Sequence, residues 1–451
     1  MSIPLISIPK KANYVPLGYD LDFYQLFKKI CARFPTCFLF ESLGESSSTS
    51  RYAIIGFAPE IKIHANGKTL VIGAEHYEVD NPYLELQKIV PMDCIARRYA
   101  GGLAGYVGYD AVNYFEPTVN VKTHPLFNQF SFGVYTDGLV LDTETRQILY
   151  FYYTTDRSDL IRELISVSLP KVARPHVVFR GDAVDESEHE ALVEKTKAEI
   201  IAGNTFQCEV GIKSEFDITG DKIAIYERLR TVNPSPYMYY YQDDDVTILG
   251  ASPELLLQVS DRAIETIPLA GTTKRGKSEA EDKELSRELL NDPKEIAEHV
   301  MLVDMHRSDI GRVSIFGSVK VSSLMDIKRL SRVQHIGSTI RGILRPGEDM
   351  FSALASLLPG GVLSGAPKVE SIKIIDQNET LPRGPYGGAI GTFGFNGDAT
   401  FAVPIRTLFC KGSYAYMQTS SGIVYDSDPK KEYQEIQNKL AAMKTVLQTF
   451  V

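Results

Sequence analysis

Two Asp-Pro steps, at 292–293 and 428–429, constrain this chain more than any other feature of its sequence. Aspartate can accept from the free N–H groups at a helix start. Proline suits the first helical position, where its missing N–H would have no partner anyway. Each step opens a run with helical periodicity. In NDPKEIAEHVMLVDMHRSDIGR (291–312), Glu295 follows the cap Asp292 by three residues, and Glu295 and Glu298 stand at i, i+3, so both carboxylates leave one face. Ile296, Val300, Leu302 and Val303 are expected to pack. In DSDPKKEYQEIQNKLAAMKTVLQTF (426–450), Asp428 caps and Glu432 and Glu435 repeat the spacing. Tyr433, Ile436, Leu440, Met443 and Leu447 form an apolar stripe that needs a core, with Glu432, Glu435 and Lys439 beside it.

Much of the remaining sequence supplies strands. Phe23, Leu26, Phe27 and Ile30 predict an early helix, with Asp20 or Asp22 as its cap. From about Phe38 to Tyr153, short β-rich runs such as GGLAGYVGYD (101–110) and TDGLVLDTETRQILYFYY (136–153) read as antiparallel strands and hairpins. The stretch 168–187 has proline, charge and little periodicity and reads as a linker or excursion. It separates an N-terminal part (1–170) from a larger part (188–451). A helix over 188–202 stops at Gly203-Asn204, and the strand TFQCEVGIKSEF follows. There is no tandem repeat. The expected class is α+β.

Composition narrows the function. The 451 residues carry 48 basic and 57 acidic side chains, a net charge of −9, which argues against a nucleic-acid platform. No apolar run is long enough to span a membrane, and the N-terminus has no secretory pattern. Cys31, Cys37, Cys94, Cys208 and Cys410 are few, odd in number and scattered, which points to a reducing, cytoplasmic setting rather than a disulfide framework.

Four carboxylates on two similarly built helices suit one hard divalent cation such as Mg²⁺, which takes a few oxygens and leaves room for an anionic ligand. The same ExxE spacing also occurs on solvated helix faces. Three glycine-rich corners, PLAGTTKRG (268–276), LPGGVLSGAPK (358–368) and RGPYGGAIG (383–391), match neither a P-loop nor GxGxxG. With Arg406 they fit a site for a small carboxylate-bearing substrate.

The segments GNTFQ, GASPE, PLAGT, DPKEIAEHVMLVD, SGAPK, PYGGAIG and GIVYDSDPKKEYQE, in this order, resemble the chorismate-utilising enzymes, and within them the synthase subunits of the anthranilate synthase branch. The resemblance implies an antiparallel β-sandwich core flanked by helices, the chorismate-binding enzyme fold. It implies Mg²⁺ on Glu298 and Glu435, supported by Glu295 and Glu432, gripping the ring carboxylate of chorismate. Glu254 matches the general acid that protonates the departing C4 hydroxyl, and His335 the histidine beside the ring. Tyr386 and Arg406 match contacts to the enolpyruvyl carboxylate, Gly271, Thr272 and Gly422 match close substrate contacts, and Lys439 would balance the acidic cluster.

Two positions separate branches. Gln207 stands where isochorismate and salicylate synthases carry a lysine base, and Ala270 where aminodeoxychorismate synthases carry a lysine nucleophile. With neither amine, the resemblance implies ammonia adding at C2, then pyruvate loss to anthranilate, with a separate glutamine amidotransferase subunit as the ammonia source. An aminodeoxychorismate or aminodeoxyisochorismate synthase is the alternative enzyme, and a non-catalytic tryptophan-binding regulator the alternative from another class. FLFES (38–42) and NPSPYMYY (233–240) resemble a tryptophan inhibitor site, with Glu41 and Ser42 at the amino acid's polar end and Pro236, Tyr237 and Met238 around the indole. Val362, Ser420, Ser308, Phe40 and Thr273 depart from the family pattern; Ser420 replaces a usual glycine and narrows the expected pocket.

Overall fold

The helix starts form as their sequences dictate. In the computed structural model, which describes residues 3–18, 21–44, 51–96 and 98–451, Asp292 accepts from the amides of Lys294 at 2.9 Å and Glu295 at 3.4 Å and opens the helix Pro293–Gly311. Asp428 accepts from Lys430 at 3.0 Å and Lys431 at 3.1 Å and opens Pro429–Gln448. Asp22 caps Phe23–Arg33, while Asp20 lies outside the described residues.

The helix Pro293–Gly311 buries His299, Leu302, Val303, His306 and Ile310, a single i, i+3, i+4 face. Val300 falls off that face and stays exposed, and Ile296 is half-buried. Two histidines fit the packed face because each has a hydroxyl partner: His299 with Ser338 at 2.6 Å and His306 with Thr266 at 2.9 Å.

Two 12-stranded antiparallel sheets make the body of the molecule. The first runs from Asn13–Gly18 at one edge, through Thr36–Glu41 and Tyr237–Asp243, to Tyr414–Ile423, Gln207–Thr219 and His176–Asp182. The second runs from Leu269–Lys274 and Val333–Ile343, through Ala389–Gly394 and Gly102–Val107, to Glu75–Glu78. Apolar side chains of both sheets, among them Phe38, Tyr241, Phe409, Phe132, Phe393 and Phe401, join in one core. A second core lies between the first sheet and its helices, where Ile436, Leu440 and Met443 of the C-terminal helix meet Leu249, Ile225 and Phe27. The expected sandwich flanked by helices is the observed architecture.

Both halves of the chain enter both sheets. Thr36–Glu41 pairs with Tyr237–Asp243, and Gly102–Val107 with Ala389–Gly394. Within 168–187, the strand His176–Asp182 closes the edge of the first sheet on Gln207–Thr219. Its partner strand offers a free edge there, and backbone pairing needs no apolar periodicity in the strand that fills it. Among the described residues no helix is long and apolar enough to cross a membrane.

Candidate active site

The site gathers where Gln207–Thr219 and Tyr414–Ile423 of the first sheet face Leu269–Lys274 and Val333–Ile343 of the second. The Pro293–Gly311 and Pro429–Gln448 helices bring the glutamates. A bulge shapes the second-sheet side: the register between Leu269–Lys274 and Val333–Ile343 slips between Ala270 and Thr272, so Gly271 is unpaired. Gly271 has φ +64, and a Cβ there would lie 2.9 Å from Glu295 Oε2. Only glycine meets both demands.

The bulge fixes His335. Its Nδ1 donates to the Gly271 carbonyl at 3.0 Å, with Thr272 Oγ1 at 3.1 Å. A carbonyl only accepts, so Nδ1 carries the proton and Nε2 is left as an acceptor, taken by Arg406 Nη2 at 3.3 Å. Burial, then the charge of Arg406, pushes the imidazole down to about 3. His335 is a neutral base at physiological pH. Arg406 itself has φ +52, in the sparsely populated left-handed region for a side-chain-bearing residue.

Glu254 lies just beyond the strand Val246–Ser252 and is 3% exposed. Burial pushes its carboxyl up to about 8, against the opposing pull of the Leu269 amide at 3.4 Å and of Arg406. The carboxyl is therefore protonated at neutral pH, the state a general acid requires.

On the other wall, Glu298 and Glu295 are both held above the usual carboxylate range. Burial is the main cause, and neighbouring carboxylates add to it: Glu435 for Glu298, and Glu298 for Glu295. Gln207 Nε2 donates to Glu298 at 3.2 Å. Lys439 bridges Glu435 at 2.8 Å and donates to the Ser420 carbonyl at 2.8 Å. Burial pulls this ammonium down, but Glu435 and Glu209 outweigh it and hold it above its ordinary value. Glu432 is buried one turn earlier on the same helix. Among the described residues no three His, Cys, Asp or Glu side chains form a ready-made metal cage. Tyr386 is 1% exposed and meets Ser420 Oγ at 3.1 Å. Burial pushes its phenol up to about 12. Ala270 lines the bulge with a methyl group that can supply no nucleophile.

Comparison with known proteins fits this geometry. A family model described as chorismate binding enzyme matches residues 25–445. The chain belongs to this family. It is 46% identical to the anthranilate synthase component 1 of Leptospira biflexa, over 99% of this chain and 98% of that protein. It is 38% identical to the component 1 of Methanothermobacter thermautotrophicus, over 95% and 93%. Among solved structures, anthranilate synthase component I from Streptococcus pneumoniae superposes with a TM-score of 0.80 at 32% identity, covering 87% of this chain and 92% of that one. The menaquinone-specific isochorismate synthase of Escherichia coli shares the fold, with a TM-score of 0.76 at 19% identity, covering 99% and 96%.

Two site residues escaped sequence reasoning. Glu209 is 6% exposed and accepts from Ser420 Oγ at 2.6 Å. Burial pushes its carboxyl up to about 7, against Lys439 and the Ser420 bond. Arg383 pairs with Glu379 at 2.7 Å in the buried floor and donates to the Glu209 and Leu363 carbonyls at 2.8 and 2.6 Å. A charged residue two places from Gln207 on the same strand face was the available signal for Glu209.

The residues matched to an inhibitor pocket also converge. Met238 pairs with Glu41 across the Thr36–Glu41 and Tyr237–Asp243 ladder, and the Leu43 amide beside Ser42 donates to the Ser235 carbonyl beside Pro236 at 2.9 Å. Tyr237 is half-buried at this end. The Glu41 carboxylate is held by Arg230 at 2.7 and 2.9 Å and by the Tyr226 hydroxyl at 2.9 Å.

Proposed function

We propose that this chain is the chorismate-binding component of an anthranilate synthase, making anthranilate and pyruvate from chorismate and ammonia. One observation carries the reading: a buried carboxyl, Glu254, near Arg406 and His335, in a pocket with an amide at Gln207 and a methyl at Ala270 where an amine would redirect the chemistry. Glu254 delivers its proton to the C4 oxygen as that oxygen leaves, and Arg406 offers a fork for the enolpyruvyl carboxylate. With its proton on Nδ1, His335 has only Nε2 to take the C2 proton as the ring aromatises and pyruvate departs, once Arg406 Nη2 leaves that lone pair for the substrate carboxylate.

The donor set fits Mg²⁺. Glu298 and Glu435 sit on different helices and repel each other. Mg²⁺ is commonly bound through one or two carboxylates, water and the substrate's own oxygens. Glu298 and Glu435 would hold it, with Glu295 and Glu432 behind them. Bound there, the ion draws electron density from the ring carboxylate. The relatives' designation as component 1 supports a partner amidotransferase as the ammonia source, and the five free thiols support a cytoplasmic setting. The slot at Glu41, Ser42, Pro236, Tyr237 and Met238 supports tryptophan as a feedback inhibitor.

Incubation of the isolated chain with chorismate, Mg²⁺ and ammonium tests the reading. Fluorescent anthranilate is expected, lost on chelation. Accumulation of a stable amino-enolpyruvyl product, or tryptophan binding with no turnover, would contradict it.

A further inference from the structure

On the strand Tyr414–Ile423, Ser420 stands where the family pattern has glycine. The ladder with Gln207–Thr219 sets Gly211 opposite Ser420 and Glu209 opposite Gly422. Residues two apart in a strand share a face, so Ser420 has a glycine across from it at 211 and another beside it at 422. Its hydroxyl reaches along the diagonal of the ladder to Glu209 Oε2 at 2.6 Å. From the other side, Tyr386, which precedes the second-sheet strand Ala389–Gly394, brings its hydroxyl to 3.1 Å from the same Ser420 oxygen. One serine therefore joins a tyrosine from one sheet to a carboxylate on the other.

Counting protons gives this chain a direction. A serine hydroxyl has one proton, and 2.6 Å is the length of a hydroxyl donated to an ionised carboxylate. With its proton on Glu209, Ser420 can only accept in the contact with Tyr386, so the single phenol proton of Tyr386 goes to Ser420. Tyr386, Ser420 and Glu209 are all buried, which keeps bulk water from exchanging these bonds freely. Lys439 fixes the same point of the strand through the Ser420 carbonyl at 2.8 Å, and its other bond is to Glu435. A substrate carboxylate has no proton to give and needs donors. Tyr386, with its proton committed, meets it as an acceptor. Arg406 differs: its contact with His335 Nε2 is long, at 3.3 Å, and its fork suits a carboxylate.

We propose that Ser420 is a positioning residue that turns the Tyr386 hydroxyl proton toward Glu209 and away from the substrate, so that this chain grips the enolpyruvyl carboxylate through Arg406 and uses Tyr386 as a wall of the pocket. This rests on the reading of the site as a chorismate site. With glycine at 420 the relay has no middle member, and the Tyr386 proton is free to reach a carboxylate. The serine thus lowers the grip on the substrate's acidic arm without touching the groups that carry protons in the reaction, Glu254 and His335.

A double-mutant cycle on the isolated chain tests this, with chorismate varied at saturating ammonium and Mg²⁺, buffered just above neutral pH where Glu209 is ionised. Ser420→Ala releases the Tyr386 proton, and the KM for chorismate should fall by about three- to tenfold with kcat within about threefold. Tyr386→Phe should then raise that KM at least about fivefold more in the Ser420→Ala chain than in the chain with serine. A merely structural role for Ser420 would change kcat or stability and leave the Tyr386→Phe ratio the same in both backgrounds. Equal ratios, or a larger one in the chain with serine, overturn the proposal. Should Ser420→Ala not fold, Ser420→Gly is read by the same criterion. Failure of the wild-type chain to form anthranilate from chorismate and ammonium would instead overturn the functional reading itself.

Discussion

Glu41 and Glu254 are both carboxylates buried beside strands of the first sheet, yet they are given opposite surroundings. Glu41 meets a guanidinium in bidentate fashion and a tyrosine hydroxyl, so its charge is matched where it lies. Glu254 has only a backbone amide at 3.4 Å and the more distant field of Arg406, and burial wins, pushing it up to about 8. Burial is common to both. What differs is whether a donor-rich cation was packed against the carboxylate, and that separates a group that stabilises a seam from one that holds a movable proton.

The comparison breaks most sharply at Glu254. Glu254→Gln should cut kcat by about 10²- to 10⁴-fold, with chorismate still bound, read by anthranilate fluorescence. In the wild type, activity should fall as pH rises through about 8, where Glu254 loses its proton. The stability sign follows from the same shift. A carboxyl raised from 4.5 to about 8 on folding contributes stability that is full below the lower value and lost as pH climbs to the upper. Denaturant titrations should show that decline weakened in Glu254→Gln.

At the matched extreme stands Glu379, whose partner Arg383 is 2% exposed. Arg383→Met leaves Glu379 buried without its cation and should cost about 3–5 kcal/mol in urea unfolding. Glu41→Gln, nearer the surface, should cost about 2 kcal/mol and leave tryptophan-free turnover unchanged. Ser420→Ala is the smallest change. Losing the bond to Glu209 should cost about 1 kcal/mol in urea unfolding. Glu41→Gln abolishing turnover, or Glu254→Gln sparing it, would reverse the assignment of the two regions.

These contrasts follow what the sequence could and could not carry. Helix starts are local: Asp292, Asp428 and their prolines act within one turn, so both helices and their glutamate faces were legible. So were the strands, from short β-rich runs between turns; Glu254, His335 and Arg406 were singled out by motif resemblance alone. The interleaving of the two halves was not, because nothing in Thr36–Glu41 states that its neighbour will be Tyr237–Asp243. Val300 looked packed because it is apolar, but tertiary contact chose a face in which hydrogen-bonded His299 and His306 are inside. Glu209 was not singled out, since the serine it bonds lies 211 residues away.

The central claim is that Glu254 carries a proton at neutral pH, and infrared difference spectroscopy of wild type against Glu254→Gln reads it most directly. The account predicts a protonated carboxyl band at neutral pH that disappears as the solution is made alkaline, and that the variant lacks. A carboxylate signal from Glu254 already present in mildly acidic solution would contradict it.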